Sequence, residues 1–209
     1  MRLPFLSFIV FFQSACSIVG IQREESPSYE VIVKDQKKEI RLYKPYLVAK
    51  TQTTGAYKQA QTEAFQILAG YIFGDNNKKE KMAMTSPVTQ GSEKINMTSP
   101  VIQEQENGRW RMQFMMPSTY TLEDLPTPNN PNISFEMIPS HYVASIAYSW
   151  NTSVKKNKKK YTELLKWLDT QSKFSALPSP KFAGYNPPWT IPFLKRNELW
   201  VTLEKNNFK

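Results

Sequence analysis

The sequence is poor in the residues that carry most metal and nucleophile chemistry. Among its 209 residues it has one cysteine, Cys16, and one histidine, His141. One thiol excludes an intramolecular disulfide, and a structural zinc site needs about four Cys or His ligands, more than the chain has. Any Ser-His-Asp or Cys-His machinery would have to use His141. Because no convergent acid–base set accompanies it, the sequence predicts a protein that is not an enzyme.

Glycine is scarce as well. The chain has seven glycines against fifteen prolines, and neither GxxxxGK(S/T) nor GxGxxG occurs. Those are the glycine-rich loops that hold phosphates, so no nucleotide site of either kind is expected. Hydrophobic residues make up 40% of the chain, which is enough for a sizeable core.

Acidic residues are outnumbered, because 27 Lys and Arg minus 18 Asp and Glu leave a net charge of +9. Five lysines lie in the run Lys155–Lys160. The run is typical of a solvated helix face, and the alternative is a patch that attracts an anionic membrane surface. No RNA- or DNA-binding module is visible, so we expect no nucleic acid partner.

The first sixteen residues predict an export signal. Arg2 precedes an apolar run over Leu3–Phe12, and small residues lead to Cys16. The run has about ten residues, and a helix needs about twenty to cross a bilayer. Ser-Ala-Cys resembles a bacterial lipobox, in which Cys16 is the lipid attachment site and the first mature residue. Gln13 stands where that motif has an aliphatic residue, so plain cleavage and an uncleaved chain remain alternatives.

These features divide the chain into three parts. Residues 1–16 are the export signal, residues 17–28 are a polar tether, and residues 29–209 are the folded domain. We expect a lipoprotein of the periplasm or outer membrane, or else a secreted protein.

Apolar periodicity predicts strands before the first helix. YEVIVK starts a strand near Tyr29, and Glu39–Thr53 reads as a second, longer strand in which Pro45 interrupts the pairing by a bend or a bulge. From Ala56 to Phe73 apolar residues recur at helical spacing, and Gly74 follows as a stop.

A short duplication follows this helix. KMAMTSPV at Lys81–Val88 returns as KINMTSPV at Lys94–Val101. The unit is too short for a solenoid, and its Met, Thr and Val content predicts two paired strands joined by QGSE.

Alternation and helical spacing then repeat in the same order. Arg109–Met116 and Tyr142–Trp150 alternate as strands, residues 133–137 mark another, and residues 153–170 have an apolar helical stripe. The C-terminal part predicts a short strand near Phe182, a proline-rich loop and a final strand. Two α+β halves of this kind predict one body: a distorted antiparallel β-barrel in which each helix covers an outer face or a groove.

Three ordered stretches resemble a known family. They are KMAMTSPV (Lys81–Val88), WRMQFMMPSTYTLEDLPTPNNPNI (Trp110–Ile133) and YNPPWTIPFLKRNELWV (Tyr185–Val201). In this order they look like the signature stretches of the SOUL haem-binding protein family, and the resemblance extends over Tyr29–Lys205. It implies a pseudo-twofold antiparallel barrel flanked by two long helices. It also implies binding of haem or another tetrapyrrole.

The implied haem makes particular residues candidates. Iron accepts His, Met, Cys or Tyr ligands. His141 is the first candidate, and its alternative role is that of an ordinary surface or capping histidine at a strand start. Seven methionines are second candidates, with core packing favoured for them: Met82, Met84, Met97, Met112, Met115, Met116 and Met137.

The resemblance also points to a helix face and a basic pair. Family members hold haem on the exposed side of the first helix, where this chain has Phe65 and Ala69 but neither a Met nor a positive charge. Lys195 and Arg196 match the C-terminal signature. They either tie the proline-rich loop to the final strand or contact an anionic ligand.

The sequence therefore predicts an exported, non-catalytic protein that binds haem or another planar hydrophobic ligand. The alternative is a scaffold or interaction protein of the cell envelope that uses the same barrel for a different partner.

Overall fold

Two helices pack on one large sheet in the computed structural model, which describes residues 24–78, 91–187 and 189–206. The helices are α1 (Tyr57–Ile72) and α2 (Val154–Leu168). The strands are β1 (Tyr29–Asp35), β2 (Lys38–Tyr43), β3 (Tyr46–Thr53), β4 (Asn76–Asn77), β5 (Val101–Glu106), β6 (Arg109–Met115), β7 (Thr127–Pro128), β8 (Ser134–Ile138), β9 (His141–Tyr148), β10 (Phe174–Ala176), β11 (Lys181–Gly184) and β12 (Asn197–Lys205). A short 3-10 turn, Pro192–Leu194, precedes β12.

Ten of these strands form one curled antiparallel sheet. Its order is β1-β2-β9-β12-β11-β5-β6-β3-β8, and β10 pairs with β12. The strands β4 and β7 form a separate small pair. In the described residues β1 and β8 are not paired with each other, so the sheet is a half-barrel. The predicted α+β fold, a curled antiparallel barrel flanked by two helices, is confirmed.

Helix α1 forms where the sequence predicts it. Its buried positions Ala64, Leu68 and Ile72 recur at i, i+4 and i+8 and pack with Met112 and Phe114 of β6. The alternation of β6 puts those two side chains on one face of the strand. The apolar face of α1 and the apolar face of β6 therefore pack together in one core cluster.

Helix α2 covers the other half of the sheet. The Ser153 side chain caps it, because its Oγ accepts a hydrogen bond from the backbone N–H of Lys156 at 3.2 Å. Leu164 and Leu168 pack with Ile146 of β9 and Leu199 of β12. Full burial of each such side chain contributes about 1.5–3 kcal/mol.

Pro45 marks the point where the chain changes from one half to the other. The predicted single strand over 39–53 is two strands, because β2 pairs with β1 and β9 while β3 pairs with β6 and β8. Proline has no N–H for the ladder, so an interruption at this position was expected. The N-terminal strands β1 and β2 thus join the C-terminal half of the sheet.

The second copy of the duplicated unit is not a strand over residues 94–97, where a strand was predicted. Its first copy, residues 81–88, lies outside the described residues. In the second copy residues 94–97 have no regular structure, and β5 begins only at Val101. The polar groups find other partners here: the Ile95 N–H donates to Ile72 O at 2.8 Å, and the Thr98 hydroxyl donates to Met115 O. Strand propensity alone was the wrong guide for this segment.

Contacts of the folded body begin before the predicted start at Tyr29. Glu25 bridges to Thr98, and its carboxylate accepts from the Ser118 N–H at 2.9 Å. Ser26 and Ser99 hydroxyls lie 3.1 Å apart.

Candidate functional site

An ion cluster lies on the concave side of the sheet, opposite the face that the helices cover. Glu198 is fully buried on β12, and Arg41 of β2 donates to it through two nitrogens at 2.7 and 3.1 Å. The same carboxylate accepts from the Tyr185 hydroxyl at 2.9 Å, the Trp200 Nε1 at 2.7 Å and the Arg196 Nη2 at 2.6 Å. These donors hold the pKa of Glu198 well below its usual value, against the effect of burial. A carboxylate with this many donors has no acceptor capacity left for a ligand.

His141 stacks on the rim of the same concave side. Its ring lies 5.8 Å from that of Tyr43, with 19° between the planes, and 5.9 Å from that of Tyr46. Nδ1 lies 2.8 Å from Pro139 O and donates to it as an N–H. Burial lowers the pKa of His141, so the imidazole is neutral near pH 7.

The outer side of the sheet has an open groove between the two helices. Strands β11 and β5 lie between the sector that α2 covers and the sector that α1 covers. We call this space, a cavity of about 290 Å³, the interhelical groove. Its lining residues are Tyr57, Gln105, Trp110, Val154, Asn157, Lys158, Tyr161, Pro180 and Phe182.

Four of the nine residues that line the groove are aromatic. Tyr57 begins α1 and meets Trp110 of β6 edge-on, with 4.8 Å between the ring centroids. Tyr161 comes from α2, and Phe182 comes from β11. Each of the four is partly exposed. Neither of the two described helices covers β11 and β5, the strands at the base of the groove. The groove can therefore offer faces and edges of rings to a flat apolar ligand.

The polar groups of the groove are few. Asn157 is buried, and its Oδ1 accepts from the Tyr148 hydroxyl at 2.8 Å. Lys158 is exposed at the rim, and no Asp, Glu, His or Cys occurs among the lining residues described above. An apolar wall beside a cation suits a ligand that is flat, hydrophobic and anionic at its edge.

A second cavity of about 290 Å³ lies under the N-terminal segment. Glu25, Lys44 and Tyr120 are among its lining residues, together with Met115 and Met116. Charges of both signs and backbone of residues 26–28 make it more polar than the interhelical groove, and so less suited to a flat apolar molecule.

The structure does not bring the predicted ligand residues together. Ala69 is buried in the core under α1, and the ring of Phe65 lies 5.6 Å from that of Phe114. Ala69 therefore does not lie on an exposed face of α1, and Phe65 is only partly exposed there. Ligand binding by either residue stays a prediction. His141 lies at the opposite end of β9 from Tyr148, roughly 23 Å away for eight residues of strand.

The basic pair ties the proline-rich loop to the sheet. Lys195 Nζ donates to Asn151 Oδ1 at 3.1 Å, and the Arg196 N–H donates to Asn186 Oδ1 at 2.7 Å. The Arg196 guanidinium also lies over the Tyr185 ring, 4.1 Å from its centroid. These contacts agree with the first of the two predicted roles, in which Lys195 and Arg196 tie the proline-rich loop to the final strand. Contact with an anionic ligand stays a prediction, as does acylation of Cys16, which lies outside the described residues.

The groove residues could not be singled out from the sequence. Trp110 and Tyr161 belong to apolar stripes that were assigned to the core, and Phe182 was a marker of a short strand. Nothing local shows that β11 and β5 lack a helix above them, because that depends on the strand order of the whole sheet.

Comparison with known proteins supports the fold and a family. The family model described as SOUL heme-binding protein matches residues 24–202. No curated protein sequence matches the chain.

Solved structures share the fold at low identity. The EcmrR C-terminal domain has a TM-score of 0.55 and 11% identity, with 85% of this chain and 99% of that chain covered. A hydrolase from Listeria innocua has a TM-score of 0.54 and 9% identity, with 83% and 94% covered. An uncharacterized conserved protein from Listeria innocua has a TM-score of 0.55 and 9% identity, with 82% and 94% covered. At such identities the likeness concerns the fold alone.

Two further findings apply to the described residues. Neither helix there is long and apolar enough to cross a membrane. No group of three or more His, Cys, Asp or Glu side chains is placed to hold a metal ion in that part of the chain.

Proposed function

Because the chain belongs to the SOUL family of haem-binding proteins, we propose that it binds haem or another planar hydrophobic ligand in the interhelical groove without transforming it. The observation that carries this proposal is the groove itself: four partly exposed aromatic rings beside one exposed lysine. The buried carboxylate on the concave side already has its full set of donors, so it does not compete as the site.

The groove's size defines the manner of binding. Ligand pockets are about 300–1,000 Å³, and this one is at the lower limit. A tetrapyrrole would therefore insert one edge between Trp110 and Tyr161 and leave the rest in solvent. Lys158 would pair with a propionate at the rim.

The groove also constrains iron ligation. When bound, haem supplies a redox-active iron. Among the described lining residues, only Tyr57 and Tyr161 are of the types that haem iron accepts as ligands. His141 lies too far along β9 to reach it. Binding through ring contacts and charge, with a weak oxygen ligand or none, fits these residues.

Non-catalytic binding fits the same lining. A general acid or base must lie within hydrogen-bond reach of the reacting group, and the groove's described walls supply no carboxylate or imidazole. The hydrolase from Listeria innocua shares the fold alone with this chain. Turnover of an ester or amide substrate that disappears in His141→Ala would contradict this part of the proposal.

The test is titration of the purified chain with hemin and with iron-free protoporphyrin. We expect both to bind, because the rings rather than the iron carry the affinity. Replacing two rings, in Tyr161→Ala/Phe182→Ala, should weaken both affinities about tenfold or more, since each ring pair contributes about 0.5–1.5 kcal/mol beyond burial. Lys158→Gln should weaken binding by a smaller factor that shrinks as salt is added.

His141→Ala is the matched control. It removes a partly exposed ring outside the groove, so the Soret spectrum and the affinity should not change. A hemin spectrum equal to that with an unrelated basic protein, or equal affinities of the wild type and the double variant, would overturn the proposal. A stoichiometric co-purified polypeptide with no Soret absorbance would instead favour the scaffold alternative.

Export and the lipid anchor remain proposals that rest on residues 1–16 alone. The intact mass of the mature chain tests them: diacylglycerol on Cys16 supports the anchor, and a chain that begins at residue 17 or later without lipid contradicts it.

A further inference from the structure

A surface of exposed apolar side chains surrounds the turn before β12. Trp189 has 73% of its surface exposed, more than any other large hydrophobic side chain described. We call the group the apolar rim, and its members are Trp150, Val154, Trp189, Ile191, Phe193 and Leu194. Single exposed apolar residues are ordinary, whereas a contiguous group marks an interaction site.

Backbone contacts hold this rim together. The Trp150 N–H donates to Pro192 O at 2.8 Å, and the Asn197 side chain donates to Trp150 O at 2.8 Å. The residues after β9 are thereby fixed against the 3-10 turn that carries Phe193. Trp150 therefore lies beside the turn, and every other member of the rim lies within four residues of Trp150 or of the turn.

Trp150 is held in a conformation that a bulky residue rarely adopts. Its φ is +76°, in the left-handed region that favours glycine. Such a conformation costs on the order of 1–3 kcal/mol and persists where the surrounding structure imposes it. The backbone is strained here although the Trp150 side chain stays 59% exposed, so the folded chain gains only partial burial of the indole in return.

The lysines beside the rim are also unfavourably placed for stability alone. Helix α2 begins at Val154, within the rim, and Lys155, Lys158 and Lys159 are exposed in its first two turns. The first turn has no acidic residue. A helix N-terminus favours negative charge, so these cations oppose the helix dipole. An anionic partner would neutralise both the lysines and the helix end.

We propose that the apolar rim inserts into the interfacial layer of an anionic phospholipid bilayer, with the lysines of α2 against the headgroups. Tryptophan is enriched at that interface, and lysines near an anionic surface contribute about 1 kcal/mol each. A second copy of this chain is a poorer occupant, because it would bring two lysine clusters together. Val154 and Lys158 also line the interhelical groove, but the proposal does not depend on a ligand bound there, nor on residues 1–23.

The experiment measures binding of the full chain to vesicles of phosphatidylcholine, with and without 30% phosphatidylglycerol. We expect binding to the anionic vesicles that weakens with salt. Lys155→Gln/Lys159→Gln should weaken it about 30-fold at low salt, the equivalent of two lysines at about 1 kcal/mol each. Trp189→Ser/Phe193→Ser should weaken it about tenfold or more.

Matched controls separate the rim from the rest of the chain. Phe73→Ser removes an equally exposed apolar side chain at the end of α1, and Lys37→Gln removes an exposed lysine in the β1–β2 turn. Neither should change vesicle binding. Every variant keeps residues 1–23, so any affinity of that segment is common to all of them.

A second readout reports insertion directly. Brominated phosphatidylglycerol should quench tryptophan emission in the wild type, and Trp150→Phe/Trp189→Phe should remove most of that quenching. Equal quenching in the wild type and this variant, or vesicle binding that neither double variant weakens, would overturn the proposal. So would self-association that Trp189→Ser abolishes, because the rim would then be covered by a second copy.

Discussion

Replacement of the buried carboxylate, Glu198→Gln, should strongly destabilise the fold. The change leaves Arg41, which is 3% exposed, without its bidentate partner, and only Glu39 at 2.7 Å still balances it. Loss of one partner of a buried ion pair typically costs about 3–5 kcal/mol, because the remaining charge stays desolvated. For a chain of this length each kcal/mol lowers the Tm by about 2–4 °C. We therefore expect the Tm to fall by about 6–20 °C.

The pH dependence of this loss is a sharper test. The folded pKa of Glu198 is lowered by its donors, so its stabilising contribution is complete above the unfolded pKa, about 4.3, and disappears as the pH falls toward the folded pKa. The difference in unfolding free energy between wild type and Glu198→Gln should be largest near pH 7 and should shrink between pH 5 and pH 3.

Denaturant unfolding followed by far-UV circular dichroism at several pH values makes this measurement. A double variant, Arg41→Met/Glu198→Gln, removes both charges. Its loss of unfolding free energy should be smaller than the sum of the losses of the two single variants. Hemin affinity should not change in any variant that folds. A cost below about 1 kcal/mol for Glu198→Gln, or one independent of pH, would refute the account of the cluster as a buried ion pair.

The other predictions concern single contacts. Ser153→Ala removes the cap of α2 and should cost about 1 kcal/mol, measured as a Tm loss of a few degrees, and Ser153→Asp should restore it. Asn157→Ala leaves the Tyr148 hydroxyl without its acceptor and should cost about 1–3 kcal/mol in denaturant unfolding. Because burial keeps His141 neutral, ligand affinity should be flat between pH 6.5 and 8, and a titration near pH 7 that His141→Ala removes would contradict this.

Periodicity predicted both helices and the faces that they cover. The buried apolar face of β6 packs on α1, and that of β9 packs on α2. Alternation at period two in the strands and spacing at 3.6 in the helices predict such faces. Such patterns are local, since every residue needed to recognise them lies within one window of the sequence. The family signatures then supplied the curled sheet, which agrees with the structure.

The ion cluster could not be predicted, because its members are distant in sequence. Arg41 and Glu198 are 157 positions apart, and Arg41 meets a glutamate only two positions away as well. The local sequence suggests Glu39 as the partner of Arg41 and does not indicate Glu198. The same holds for the interhelical groove, whose four rings come from four separate elements.

The strand assignment for the second Met-Thr-Ser-Pro unit failed for a different reason. Strand propensity mostly reports how a side chain fits a half-buried pleated surface, and the value depends on the neighbours. Here Ile95 is buried against α1 and its N–H is bonded to the helix end, so burial was satisfied without a ladder.

Because β1 and β2 join the C-terminal half of the sheet, the order in which the chain is synthesised affects the order in which it can fold. Strand β2 cannot complete its pairing until β9 has been synthesised. Arg41 cannot form its ion pair until Glu198, 157 positions later in the chain, has been added. A ribosome adding about 5–20 residues per second needs roughly 8–30 seconds for that interval. During that time β2 lacks its β9 partner, so we expect the sheet to be completed only near the end of translation.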